Sequence, residues 1–246
     1  MSASVPALSI VIPAYNEEQR LPATLEKIAA WLGAKSMEAE ILVVDDGSTD
    51  ATARVAGEFA PRMPGLRLLS NGTNRGKGFS VRHGMLEARA PVALFTDADL
   101  SAPIEEAEKL LAALESADVA FGSRALNRRL ISVHQSPFRE AAGILFNKVV
   151  KMVLWIPFVD TQCGFKAFRM PRARILFEQQ RIERFGFDPE LLYLARHHGL
   201  RAVEISVRWA HDPHTKVNMV RDSVLMFLDL FFIRWNWLRG RYPRAS

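Results

Sequence analysis

An apolar run in "VALFTDAD" (92–99) ends in two aspartates separated by one residue, Asp97 and Asp99. A turn explains one such residue, because Asp is common where chains reverse. A one-residue spacer also lets two carboxylates leave a turn on the same side and share a hard cation. Mg²⁺ takes one or two protein carboxylates and completes its shell with water and substrate phosphates. The pair therefore makes chemical sense if a diphosphate brings the remaining oxygens. In "VVDDGSTD" (43–50), Gly47, Thr49 and Asp50 read as turn and cap residues, whereas Asp45 lies nearer the strand end, where it can accept from a base N–H. "NRGKG" (74–78) is a Gly-rich turn that enters a helix. It lacks the P-loop spacing, which excludes that ATPase class, but Lys77 and the helix N-terminus favour phosphate.

These residues need elements to hold them. Short β-branched runs at 8–15, 40–46, 66–70, 91–99 and 118–124 read as strands. Between them lie helical patterns at 21–32, after Ser48 or Thr49 as N-cap, at 76–89 and at 104–114. Nearly continuous apolar strands alternating with helices predict an α/β fold, a mostly parallel sheet covered on both faces. Ligands bind such sheets beyond the carboxyl ends of the strands, and the segments above leave those ends. Further on, 143–159 reads as an amphipathic helix, 163–169 as a strand, 188–199 as a helix and 201–209 as a strand. A last, strongly apolar helix runs into a basic aromatic tail. With no internal repeat or low-complexity linker, one domain over 1–215 is expected, with a C-terminal amphipathic extension over 216–246.

At 246 residues, 49% hydrophobic and 24% charged, the chain has a composition that argues against disorder. Its net charge of +5 points to an anionic partner. The single cysteine, Cys163, excludes an intramolecular disulfide and a cysteine-based zinc cluster and fits a reducing, cytoplasmic compartment. The N-terminus lacks a secretory pattern, and no run reaches the ~18 consecutive apolar residues of a membrane span. Basic residues do not interleave with aromatics before the C-terminal tail, so nucleic acid is not an expected partner.

Four motifs, "SIVIPAYNEE", "VVDDGSTDAT", "NRGKGFSVRHGM" and "TDADLS", together resemble the nucleotide-sugar domain of family 2 inverting glycosyltransferases, of the GT-A fold. Later, "GSR", "DTQCGFKAF", "FGFDPELLYLA" and "DSVLMFLDLFFIRW" resemble a narrower branch, the dolichyl-phosphate β-glucosyltransferases and related polyprenyl-phosphate sugar transferases. The resemblance spans Leu8 to Trp235. It implies that Pro13, Ala14, Tyr15, Glu17 and Asp45 hold the uridine or guanosine, with Lys77 and Ala98 also at the nucleotide-sugar. Asp97 and Asp99 are implied to hold Mg²⁺ or Mn²⁺ against the diphosphate. Arg124 and Arg139 are implied to face the acceptor phosphate, and Lys216 to reach a phosphate late in the site. Two departures stand out. The N-terminal membrane anchor usual in eukaryotic members is not seen, and Phe185-Gly186 stands where they tend to carry Trp.

A phosphate acceptor suits the basic residues. Transfer to a hydroxyl needs a general base, whereas a phosphomonoester is already ionised near neutral pH and needs cationic positioning instead. Arg124, Arg139, Lys166 and Lys216 fit that task. The expected reaction moves a hexose, glucose before mannose, from UDP-glucose or GDP-mannose to dolichyl or polyprenyl phosphate. A hydroxyl acceptor is the enzyme alternative, with Asp160 or Asp188 as base and His211 and His214 as weaker candidates; His134, His197 and His198 read as surface residues. A nucleotide-sugar pyrophosphorylase is excluded, because "PAYNEE" is not its Gly-rich basic loop. A non-catalytic membrane-surface module remains a rival from another class. The apolar faces of 143–159 and 219–238, with Trp235, Trp237, Arg239, Arg241, Tyr242 and Arg244, predict attachment at a headgroup boundary, peripheral on the cytoplasmic face of a membrane.

Overall fold

A computed structural model describes residues 5–133, 137–211 and 219–243, with backbone alone at 137–139 and 219–220. His134, His214, Lys216 and Arg244 lie outside the described residues, as does the side chain of Arg139. The chain runs β1 (Leu8–Ala14), α1 (Leu21–Ala34), β2 (Ala39–Asp45), α2 (Thr52–Phe59), β3 (Leu66–Ser70), α3 (Lys77–Glu87), β4 (Val92–Thr96), α4 (Ala107–Ala113) and β5 (Val119–Ser123). It continues through β6 (Ile131–Val133), α5 (Pro137–Leu154), β7 (Phe165–Arg169), α6 (Met170–Gln179), α7 (Phe187–His197), β8 (Ala202–Ser206), β9 (Trp209–Ala210) and α8 (Met219–Leu238).

Seven strands form one sheet in the order β3-β2-β1-β4-β7-β5-β8, and β6 pairs with β9 in a short ribbon. All pairings in the large sheet are parallel except those of β7, which is antiparallel to both β4 and β5. That one reversal matters for the site. It brings the entrance of β7 to the same sheet edge as the exits of β1, β2, β4 and β5.

Side chains alternate across the sheet because the strand period is two. Ile10 and Ile12 of β1 join α1, α2 and α4 in one buried cluster, while Val11 faces α3, α6, α7 and α8 in the other. The mostly parallel, doubly covered sheet thus follows from the strand pattern. Three details differ from it. Helix α2 begins at Thr52, because Ser48 and Thr49 bond instead to Asn16, and Asp50 accepts from Thr52 N at 2.9 Å. Helix α6, with its Pro at the first turn, has no counterpart in the sequence reading. Helix α8 and the residues up to 243 pack on the body: Leu230, Ile233 and Tyr242 are buried in the cluster with α7.

Candidate active site

Four strand exits and one strand entrance meet along one edge, and each brings a distinct group. At the end of β1, Ala14 lies in register with Asp45 of β2. Beyond them Tyr15 is exposed, and Asn16, at φ +55°, ties the two loops together by accepting from Thr49 N at 2.8 Å. Pro13, Ala14, Tyr15 and Asp45 are therefore neighbours. Glu17 differs. Its carboxylate is held by Arg20, which donates through Nε (2.5 Å) and Nη2 (2.6 Å), and Arg20 Nη1 lies 4.0 Å from Asp99. Glu17 thus braces an arginine toward the carboxylate pair, a role no motif revealed.

Asp46, unlike its neighbour Asp45, was not singled out from the sequence. Buried at the β2 exit, it accepts from Asn71 Nδ2 (2.7 Å), Arg75 N (3.0 Å) and Gly76 N (2.8 Å). These bonds shape the loop that delivers Lys77 at the start of α3. Gly76, at φ +109°, makes the final bend, where a Cβ would also meet Glu183 O at 2.6 Å.

Lys77 Nζ reaches Asp97 Oδ1 at 2.5 Å. Burial works against its charge, but Asp97, Asp188 and Asp99 outweigh it and hold the proton above the ordinary lysine value. The Asp97–Asp99 turn is fixed by Thr24 of α1, which donates to Ala98 O at 2.6 Å, and by Ser101 N on Asp99 Oδ1 at 2.8 Å. Ala98 is buried beneath it. Burial, then the charge of Asp97, pushes the Asp99 carboxyl up. Two crowded carboxylates beside ammonium and guanidinium groups form a site that calls for positive charge. Among the described residues no group of three or more His, Cys, Asp and Glu gathers to hold a metal. The pair accordingly fits a hard cation only with oxygens from a second source, as a diphosphate supplies.

Arg124 leaves β5 and grips Asp160 with Nε (2.7 Å) and Nη2 (2.8 Å), while its backbone N donates to the same carboxylate at 2.9 Å. Asp160 is 2% exposed. Burial raises its proton affinity, but Arg124 more than reverses this and keeps the carboxyl below its usual range. It is a poor base, contrary to the hydroxyl-acceptor alternative. Lys166, expected at the acceptor phosphate, is fully buried and donates to Asp188 Oδ1 and Cys163 O, both at 2.6 Å. It is the second residue of β7 with its side chain turned into the core, where it reaches Asp188. Asp188 is in the first turn of α7, its carboxyl pushed up by burial and pulled back by Lys166 and Lys77.

A cavity of about 860 Å³ opens above these groups. Lys77, Asp97, Asp99 and Arg124 line it, together with Ile144, Leu145, Phe146 and Val149 of α5 and Met226 and Phe227 of α8, and α5 also brings Glu140, Asn147, Lys148 and Lys151 to the same lining. The segment 160–166 ties these walls together. Asp160 holds Arg124, Thr161 donates to Asn147 of α5 at 2.9 Å, and Gln162 contacts Met226 of α8 at 2.9 Å. Phe185 and His211 also line the cavity. A Cβ on Gly186 would lie 2.3 Å from Asp229 Oδ2, so Trp has no room at that position in this chain. His197 is at the surface, as expected, with its ring against Trp237, and half-buried His198 meets Gln179 Oε1 at 3.0 Å.

Residues 9–170 match the profile of "Glycosyl transferase family 2". The chain is 39% identical over 253 residues to dolichyl-phosphate beta-glucosyltransferase of Drosophila melanogaster, covering 97% of this chain and 78% of that protein. To the Homo sapiens protein of that name it is 33% identical, covering 96% and 77%. Among solved structures, glucosyl-3-phosphoglycerate synthase from Mycobacterium tuberculosis, in complex with Mn²⁺, UDP-glucose and phosphoglyceric acid, superposes with a TM-score of 0.65 at 16% identity, over 98% of this chain and 81% of that one. The strand order, the carboxylate pair at the β4 exit and the match over two-thirds of the sequence agree: the chain belongs to glycosyl transferase family 2.

Proposed function

We propose that the protein transfers glucose from UDP-glucose to the phosphate of dolichyl or another polyprenyl phosphate, inverting the anomeric carbon to give a β-linked lipid-phosphate sugar. One observation carries this reading: a single cavity joins the charged cluster at Lys77, Asp97, Asp99 and Arg124 to apolar walls from α5 and α8. A phosphate on a long hydrocarbon chain matches both halves, whereas a small polar acceptor leaves the apolar half unused. The curated relatives named for this activity support the acceptor and sugar. The glucosyl-3-phosphoglycerate synthase structures with UDP-glucose and with Mn²⁺ or Mg²⁺ support the donor and a divalent cation.

The residues suggest how the reaction runs. Pro13, Ala14, Tyr15 and Asp45 receive the nucleoside. Asp97 and Asp99 would hold Mg²⁺ or Mn²⁺, which would supply positive charge against the leaving diphosphate. Lys77, already turned to Asp97, adds a second positive charge there, and Arg20 a third. An oxygen of the acceptor phosphate forms the new bond to C1 as the bond from C1 to the diphosphate breaks, so no side chain need remove a proton. Arg124, pre-aligned by Asp160, faces that phosphate, with Arg139 and Lys216 as further candidates.

No helix among the described residues is long and apolar enough to cross a membrane. On α8, Val224, Leu228, Phe231, Trp235 and Leu238 form one exposed stripe, and Met152 of α5 and Trp155 just past its end are exposed too. Arg239 lies over Trp235 at 4.4 Å and Arg234 over Trp155 at 4.6 Å. An apolar stripe rimmed by Arg–Trp pairs suits a headgroup boundary, where the protein meets its lipid substrate.

The test mixes purified protein, Mg²⁺ and a short polyprenyl phosphate with labelled UDP-glucose or GDP-mannose and counts label extracted into organic solvent. Lipid-bound label from UDP-glucose is the expected result. Label from GDP-mannose alone overturns the donor assignment, and free sugar without lipid product overturns the acceptor.

A further inference from the structure

Gly164 precedes β7, and the antiparallel register that pairs Thr96 with Phe165 sets it opposite Asp97, one step past both strands. A Cβ on Gly164 would lie 2.3 Å from Asp97 Oδ2 and 2.7 Å from both Cγ and Oδ1. The whole carboxylate therefore rests against bare backbone, while Lys77 Nζ holds Oδ1 from its other side at 2.5 Å. Gly164 is not among the residues with positive φ, so the backbone does not require glycine. Only the missing side chain does.

The surroundings decide what would yield to an added methyl. Cys163 is buried and its carbonyl accepts Lys166 Nζ at 2.6 Å; Phe165 is buried within β7. Both neighbours are fixed in the core, whereas the Asp97 carboxylate is the free end of a short side chain. We infer that Gly164 is a positioning residue for the divalent-cation and nucleoside-diphosphate site, its absent side chain setting where the Asp97 carboxylate lies. This rests on the reading that Asp97 and Asp99 hold the cation. Gly164 touches neither cation nor sugar; it acts through Asp97.

The experiment measures Mn²⁺ binding in the presence of UDP, by electron paramagnetic resonance of free Mn²⁺, for wild type, Gly164→Ala, Asp97→Asn and Gly57→Ala. A Cβ at Gly57, on the exposed side of α2, meets nothing within 4 Å, so that variant should bind as wild type does. Gly164→Ala should bind Mn²⁺ about 10- to 100-fold more weakly, the usual effect of disturbing the support of a metal ligand. Its melting midpoint without metal is compared in two backgrounds. Any loss it causes should vanish when Asp97→Ala removes the clash. Wild-type Mn²⁺ affinity in Gly164→Ala, or an equal melting loss in both backgrounds, overturns the inference while leaving the metal assignment standing. If wild type itself fails to bind Mn²⁺ with UDP, the metal assignment falls first and takes the inference with it.

Discussion

The proposed role of Asp97 and Asp99 rests on what surrounds each carboxylate, more than on two being present. Lys77 sits on Asp97, and Arg20 is aimed toward Asp99 by Glu17. Replacing both aspartates by Asn preserves shape and hydrogen bonding but removes two negative charges from a site built around positive ones. Transfer should fall by about 10²–10³-fold or more, the scale of losing a preorganised electrostatic contact, while circular dichroism stays that of the folded protein. Turnover near wild type would show that the pair is only a turn. The spacing of this pair was legible in the sequence. The cation contacts were not: Lys77 reads from the sequence as a phosphate ligand and Arg20 carries no signal, since Asp97 and Asp99 lie far from them along the chain.

Among the elements, the last helix and its tail behave differently from the sequence pattern. Tyr242 does not sit at an exposed boundary. It is 1% exposed, its hydroxyl donating to Glu190 Oε1 at 2.5 Å, and Glu190 also accepts from Arg181 N and Ile182 N, both at 3.0 Å. Trp237 likewise packs edge-on against Tyr193. The tail thus straps α8 to α7. Burial pushes the Glu190 carboxyl up to about 7, against the bonds it accepts. Below about pH 4.5 folded and unfolded chains both hold that proton; between there and about 7 only the folded chain does, so stability falls as pH rises through this window. Asp229, raised by burial to about 6, adds the same sign. Melting midpoints measured from pH 5 to 7.5 should drop by about 5 °C. Glu190→Gln should flatten the curve, and an unchanged slope would remove Glu190 as the cause. An aromatic-basic run reads alike whether it is solvated or strapped down, because its burial depends on what α7 presents to it.

For the molecule as a whole, the question is how a chain with no membrane-crossing helix among its described residues meets a lipid. The stripe on α8 and the exposed apolar residues of α5 lie on the two helices that also line the cavity. On the proposed function, the surface that would meet the bilayer and the groove that would take its lipid are built from the same pair. Phe231→Glu with Trp235→Glu should lower binding to anionic vesicles at least about tenfold, given ~1.5–3 kcal/mol for each large apolar side chain buried. Raising salt should weaken wild-type binding, since the chain carries +5. Neither residue lines the cavity, so turnover of a short, dispersed acceptor should persist. Equal vesicle binding by both proteins would place the interface elsewhere.

The sequence by itself determined the mostly parallel α/β sheet and pointed to the strand exits as the candidate site, with the Asp97–Asp99 pair among them. Apolar periodicity and short motifs are local properties, and hydrophobic burial turns them into architecture with few alternatives. Only the tertiary structure decided the rest. It sent Lys166 inward to Asp188, turned Asp160 from a candidate base into a clamp on Arg124, placed Glu17 on Arg20 and set bare Gly164 against Asp97. The reversal of β7 lies behind much of this. It threads a strand from the second half of the chain between β4 and β5, bringing 160–166 to the carboxylates that end at residue 99. A contact such as that of Gly164 with Asp97 joins distant parts of the chain and depends on strand order, and strand order is set by how whole faces pack.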